Sequence, residues 1–164
     1  SGTFVARIPL AVLPEAVMVR KALEDLTVRL AAKMATEADI ARLRENLDEQ
    51  KAFVRRGDRL GFHLTDREFH AIIADTADHP NIWRMVQQVK VQIDRYCMLT
   101  LPAPGRMKIL IAEHAAILAG IATHDEARAG VAMATHLDWM NSSIYDIRGL
   151  NRDFFDVPPE WPGQ

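Results

Sequence analysis

Apolar residues recur every three or four positions through nearly every stretch between helix breakers, while the alternating period of a half-buried strand is hard to find beyond the first few residues. This pattern predicts six helices. The first spans about Pro14 to Ala35, with Pro14 suited to an opening turn and Leu23, Leu26, Leu30 and Met34 as its apolar stripe. Thr36, with Asp39 three residues on, reads as a capping-box start for a second helix that buries Ile40, Leu43, Leu47 and Val54 before Gly57. The third starts near Asp58 and carries Leu60, Phe62, Phe69, Ile72 and Ile73 to the turn Asp78-His79-Pro80-Asn81. A fourth continues through Ile82, Met85, Val86, Val89, Ile93 and Tyr96 until Pro102 and Pro104 forbid it. The fifth covers about Arg106 to Thr123, and Asp125 then caps a sixth that runs to about Arg148. Short connections of this kind favour antiparallel neighbours, so the expected fold is all-α, an antiparallel bundle of about six helices. Residues 151–164, with three prolines, read as an extended, partly mobile C-terminal tail.

Composition changes this picture mainly by exclusion. A chain of 164 residues with 49% hydrophobic and 26% charged positions is long enough for one domain with a real core. No apolar run approaches the roughly 20 residues of a membrane span, and the N-terminus lacks the order of a secretory signal, so no membrane partner and a cytoplasmic location are expected. A formal charge of -2 gives this segment no electrostatic means of holding DNA by itself. The single cysteine, Cys97, lies among Ile93, Tyr96 and Leu99 and reads as a small buried hydrophobe.

The six histidines carry the chemistry. Asp66 and His70 lie four apart on the third helix, so their side chains share one face about a turn apart and can hold one ion. His114 and His136 sit amid apolar residues of the fifth and sixth helices and therefore face inward. A single inward imidazole is most simply a hydrogen-bonded core residue. Three of them converging with a carboxylate satisfy one another best through a divalent metal, zinc or nickel among the first-row ions, at the centre of the bundle. His63 falls on the same face as Asp66 and His70 and is a candidate for supporting the site from behind its ligands, whereas His79 and His124 lie in turns and receive no role. Arg20 and Arg95, on the first and fourth helices, are candidate effector-binding residues, because a guanidinium grips a carboxylate bidentately. Ordinary salt bridges are the competing reading for both.

These residues resemble a known family, the FadR-type C-terminal ligand-binding (FCD) domain of GntR transcription regulators, over about residues 14 to 148. Val19-Arg20-Lys21-Ala22-Leu23-Glu24 followed by Leu30-Ala31-Ala32 is similar to its first helix, although Met18 stands where the family usually has an acidic residue. Asp66-Arg67-Glu68-Phe69-His70, Glu113-His114 followed by Ile117, and His136-Leu137 are similar to its three metal-site motifs. The resemblance implies Asp66, His70, His114 and His136 as metal ligands, a small organic acid as effector, and a homodimer. Gly2-Thr3-Phe4-Val5-Ala6 resembles the end of the wing in the family's winged-helix domain. The implied organisation is a wing remnant and linker over residues 1–9, an effector-binding helical domain over 10–150 and the tail beyond it. Operator DNA would then be read by a domain outside this chain. Two other classes share the same ligands: a metal-dependent hydrolase, for which no further well-placed general base stands out, and a structural-metal interaction module. The expectation is a sensor, not an enzyme.

Overall fold

Three of the helices begin where a side chain closes the backbone's open end. Thr36 and Asp39 cap each other reciprocally, Asp39 N donating to Thr36 Oγ1 at 3.2 Å and Thr36 N to Asp39 Oδ2 at 3.0 Å. Asp58 accepts from Gly61 N at 2.8 Å and Asp125 from Arg128 N at 2.9 Å. Gly57 ends its helix in the left-handed region at φ 69°. The computed structural model describes residues 6–100, 105–144 and 151–161 and places seven α-helices among them. They are α1 (Leu13–Met34), α2 (Glu37–Arg56), α3 (Arg59–Thr76), α4 (Pro80–Val89), α5 (Val91–Thr100), α6 (Arg106–Ala122) and α7 (Glu126–Ser143). The wing-like Gly2–Val5, the helix stops at Pro102 and Pro104 and the helix end near Arg148 lie outside the described residues.

The helices close on themselves. α1 packs on α7, α7 on α6, α6 on α2, α2 on α3, and α3 returns to α1, with α4 laid against α1 and α3. The main core inside this ring is built from Val28, Ile40, Leu43, Phe69, Ile117 and Leu137 among others. α6 and α7 approach so closely at Gly120 that a Cβ there would lie 2.6 Å from the backbone nitrogen of Ala129. None of the described helices is long and apolar enough to cross a membrane.

Three expectations need correction. The fourth helix is two, because the ladder is interrupted at Lys90 (φ -85°, ψ 3°), whose N–H closes on Val86 O and whose carbonyl opens the next turn to Asp94 N. No proline is involved. The Lys90 side chain is drawn into the interior, and α5 leaves on a course that lays Ile93 and Tyr96 on a second apolar cluster. On α1, the stripe is displaced: Leu26 and Met34 are about half exposed, and the buried face runs through Leu13, Val17, Arg20, Glu24, Val28 and Ala31. Arg20 and Glu24 can lie on that face because each finds charged partners inside. The tail, finally, is anchored over the residues described. A two-residue strand β2 (Phe155–Asp156) pairs in parallel with β1 (Ile8–Pro9), and Phe155 and Trp161 are buried with Leu10, Leu13, Tyr96 and Met140.

Candidate metal centre and its cavity

All five helices of the ring send a polar side chain to its middle. α3 supplies Asp66 and His70, α6 supplies His114 and α7 supplies His136. One ligand atom from each of these four lies within 4.8 Å of the others, and the three histidines are buried. His70 Nε2 is 3.3 Å from His136 Nε2, and His114 Nε2 is 3.5 Å from Asp66 Oδ1. The geometry thus brings together the four residues that the sequence singled out as candidate metal ligands.

Behind each imidazole stands an acceptor. Glu24 Oε2 on α1 meets His70 Nδ1, Gln50 Oε1 on α2 lies 2.8 Å from His114 Nδ1, and Glu113 Oε2 on α6 lies 2.8 Å from His136 Nδ1. An acceptor at Nδ1 holds the proton there and leaves the Nε2 lone pair free. Three Nε2 atoms are therefore turned toward one point beside a carboxylate; His70 Nε2 also lies 3.4 Å from Arg20 Nη2, whereas His114 Nε2 is buried without a hydrogen-bond partner. Lone pairs facing one another at 3.3 Å repel unless a positive charge lies between them. This donor set fits a divalent metal: three neutral imidazoles, one carboxylate, and outer partners that fix each ring's orientation.

The electrostatics agree with that reading. Burial pushes His136 down to about 3, helped by neighbouring His70, and burial with His136 beside it holds His114 well below the usual imidazole range. Both rings stay neutral, the form that binds metal. For Asp66 and Glu24, burial favours the uncharged acid but is outweighed, for Asp66 by the basic groups around it, Lys90 among them, and for Glu24 by Arg20 and the hydrogen bond from His70, so both carboxylates stay ionised.

A partly open pocket with a cavity volume of about 40 Å³ lies beside the cluster. Arg20, His63, Lys90, Arg106, Cys97 and Trp139 are among the residues on its walls, together with Asp66 and His136. Arg20 is on this wall, but it is already engaged, its Nε donating to Glu24 Oε1 at 2.6 Å. His63 forms part of the wall, and burial lowers its pKa. Cys97 is half-buried, its thiol pushed up to about 11 by burial, in keeping with a packing role. Arg95 does not reach the cavity. It points to the N-terminal segment, where it donates to the carbonyl of Ala6 and, at 2.8 Å, to Gln92 Oε1. Its position beside Tyr96 on the sequence could not reveal this, because successive helical residues point about 100° apart.

Sequence reasoning missed Glu24, Gln50 and Glu113 as orienting partners and Lys90 and Arg106 as cavity cations. A common signal was available: each of Gln50, Lys90 and Arg106 stands three or four residues from a buried apolar residue, Leu47 for Gln50, Val86 and Ile93 for Lys90, and Leu110 for Arg106.

An all-helical domain thus carries three imidazoles and one carboxylate beside a partly open pocket, and the comparisons give its family. The chain belongs to the FCD domain family, whose model matches residues 15–138. It is 27% identical over 154 residues to the HTH-type transcriptional repressor RspR of Escherichia coli K12, spanning 94% of this chain and 68% of that protein. To the HTH-type transcriptional regulator YcbG of Bacillus subtilis it is 27% identical over 140 residues, covering 85% of this chain and 56% of that one. Among solved structures it shares the fold of E. coli McbR/YncC, with a TM-score of 0.73 at 23% identity over 81% of this chain and 67% of that chain.

Proposed function

We propose that this chain is the effector-sensing domain of a GntR/FadR-type transcription regulator, which holds a divalent metal, zinc or nickel, on Asp66, His70, His114 and His136 and binds a small organic acid beside it. The observation that carries this reading is the cluster itself: three Nε2 lone pairs and a carboxylate turned to one point, each imidazole backed by its own acceptor. When bound, the ion supplies an electrophilic seat for an anion and fixes the relation of α3, α6 and α7. Arg20 holds Glu24, and through it the ring of His70, in place. His63, Lys90 and Arg106 line the space in which the acid is held, and the apolar walls from Phe62, Leu110 and Leu137 strengthen each polar contact by excluding water.

The relatives' role as HTH-type regulators supports a sensor over an enzyme. In this reading the acid biases the relation of the helices, and that bias passes to a winged-helix domain that reads operator DNA, within a homodimer; a ligand shifts such an equilibrium only by its differential affinity for the two states. Metal analysis, thermal melts with chelator and calorimetry with a panel of acids test it. The expected result is about one ion per chain, a melting point that falls on chelation, and acids that bind only the metal-loaded domain. Melting indifferent to zinc and nickel, or acids that bind equally well after chelation, would refute it.

A further inference from the structure

Each acceptor that stands behind an imidazole is itself held by another side chain. Glu24 receives Arg20 Nε at 2.6 Å, and Gln50 is joined to Asn46 at 2.8 Å. Glu113 needs such a partner most. Its side chain is 17% exposed against 4% for Glu24, and it also lines an outer groove between α6 and α7 with Ala116, Val131 and Thr135, so water is within its reach. Turned outward, it would leave His136 Nδ1 without an acceptor.

Arg106 faces the other oxygen of this carboxylate. Its Nη1 lies 3.5 Å from Glu113 Oε1, while Glu113 Oε2 takes His136 Nδ1 at 2.8 Å. Arg106 is buried, and its guanidinium carbon sits 3.6 Å over the ring of Trp139. A buried guanidinium cannot lose its counter-ion without a desolvation cost, so its charge keeps Glu113 turned inward. Arg106 and Glu113 stand two turns apart on one face of α6, and Trp139 follows His136 by three residues on α7. The four side chains thus form a clasp between the two helices, with a candidate metal ligand as one of its members. We infer that Arg106, clamped by Trp139, is a positioning residue for the metal centre, which holds Glu113 on His136 and thereby fixes that ring's tautomer and the direction of its Nε2. The consequence at the ion rests on the metal reading above, and the consequence at the ring rests on the clasp alone.

Two measurements keep these apart. Two-bond proton–nitrogen spectra of the zinc-free chain with isotope-labelled histidines, at neutral pH, read the tautomer. The unmodified protein is expected to carry the His136 proton on Nδ1 alone, and Arg106→Gln and Trp139→Leu to show a mixture of both tautomers. Competition with a fluorescent chelator reads zinc affinity, which is expected to fall about tenfold in both variants. Arg106→Lys, which keeps the charge, and Trp139→Phe, which keeps a ring face, are expected to recover most of both quantities. Variants Arg106→Gln and Trp139→Leu that melt low, yet keep His136 in one tautomer and bind zinc as before, would give Arg106 a scaffolding role only and overturn the inference. A Trp139→Phe chain as impaired as Trp139→Leu would overturn the clamp. Failure of the unmodified chain to take up zinc removes the metal reading, and the tautomer spectra still decide whether Arg106 holds Glu113 on His136.

Discussion

Gln50 on α2 is the strongest place to test how the site is built, because it touches no ligand atom and yet controls one. It is fully buried, accepts from His114 Nδ1 at 2.8 Å, and donates its Nε2–H to Asn46 Oδ1 at 2.8 Å, while Asn46 Nδ2 donates to Thr65 O at 3.1 Å. Replacing it by Met keeps the volume and removes both contacts. Two buried hydrogen bonds go, and the His114 N–H and the Asn46 Oδ1 are left without partners. At about 1–2 kcal/mol for each of the two groups stranded away from water, after some relaxation, the loss is about 2–4 kcal/mol. For a chain of this size that corresponds to a melting point lower by about 5–15 °C. The His114 ring, no longer held, should also lose its fixed tautomer, and zinc affinity should fall by about 10- to 100-fold. Thermal melts of the chelated protein read the first quantity and competition with a fluorescent zinc chelator reads the second. Gln50→Glu, which retains an acceptor facing His114 Nδ1, should recover most of the zinc affinity. A Gln50→Met protein that melts low but binds zinc with unchanged affinity would refute the claim that Gln50 orients a ligand.

Three further outcomes follow from the same geometry. The metal-free protein should lose stability as pH falls from about 6.5 toward 3, since His136 and His114 titrate near 6.5 when unfolded but are depressed by burial when folded, so the unfolded chain takes up the extra protons; the depressed Asp66 and Glu24 act with the same sign below about 4. Melting points between pH 7.5 and 4.5 check this, and a flat profile would contradict it. Gly120→Ala should destabilise by about 1–3 kcal/mol, because its Cβ would lie 2.6 Å from Ala129 N and α6 and α7 must part, as denaturant melts would show. Arg95→Ala should leave acid affinity within calorimetric error, since its side chain is committed to Ala6 and Gln92 and not to the cavity.

Much of this was legible in the chain because it is written locally. Caps such as Thr36 with Asp39, or Asp125 before α7, act over three residues, and the four candidate ligands stand out as polar residues on apolar helical faces. What escaped was written across helices. The period of α1 allows two stripes, and only the partners waiting inside the ring decide that Arg20 and Glu24 are buried while Leu26 and Met34 stay half exposed. The break at Lys90 has no sequence breaker, so the apolar period alone carries straight through it. Phe155 and Trp161 pack because β1 offers a strand to pair with, a contact separated by nearly the whole chain.

The closed circuit of α1, α7, α6, α2 and α3 has a consequence for how the domain breathes. Every one of those helices contributes a ligand or a ligand's acceptor, so no single one can swing away while the cluster stays intact. Amide hydrogen exchange should therefore slow on zinc binding across all five helices together, far from the ion as well as near it, whereas a site borne by one hairpin would protect only its own neighbourhood. Occupancy at the centre would then be felt at the rim as a single cooperative tightening, with α4 and α5, which stand outside the circuit, left as the elements freest to move.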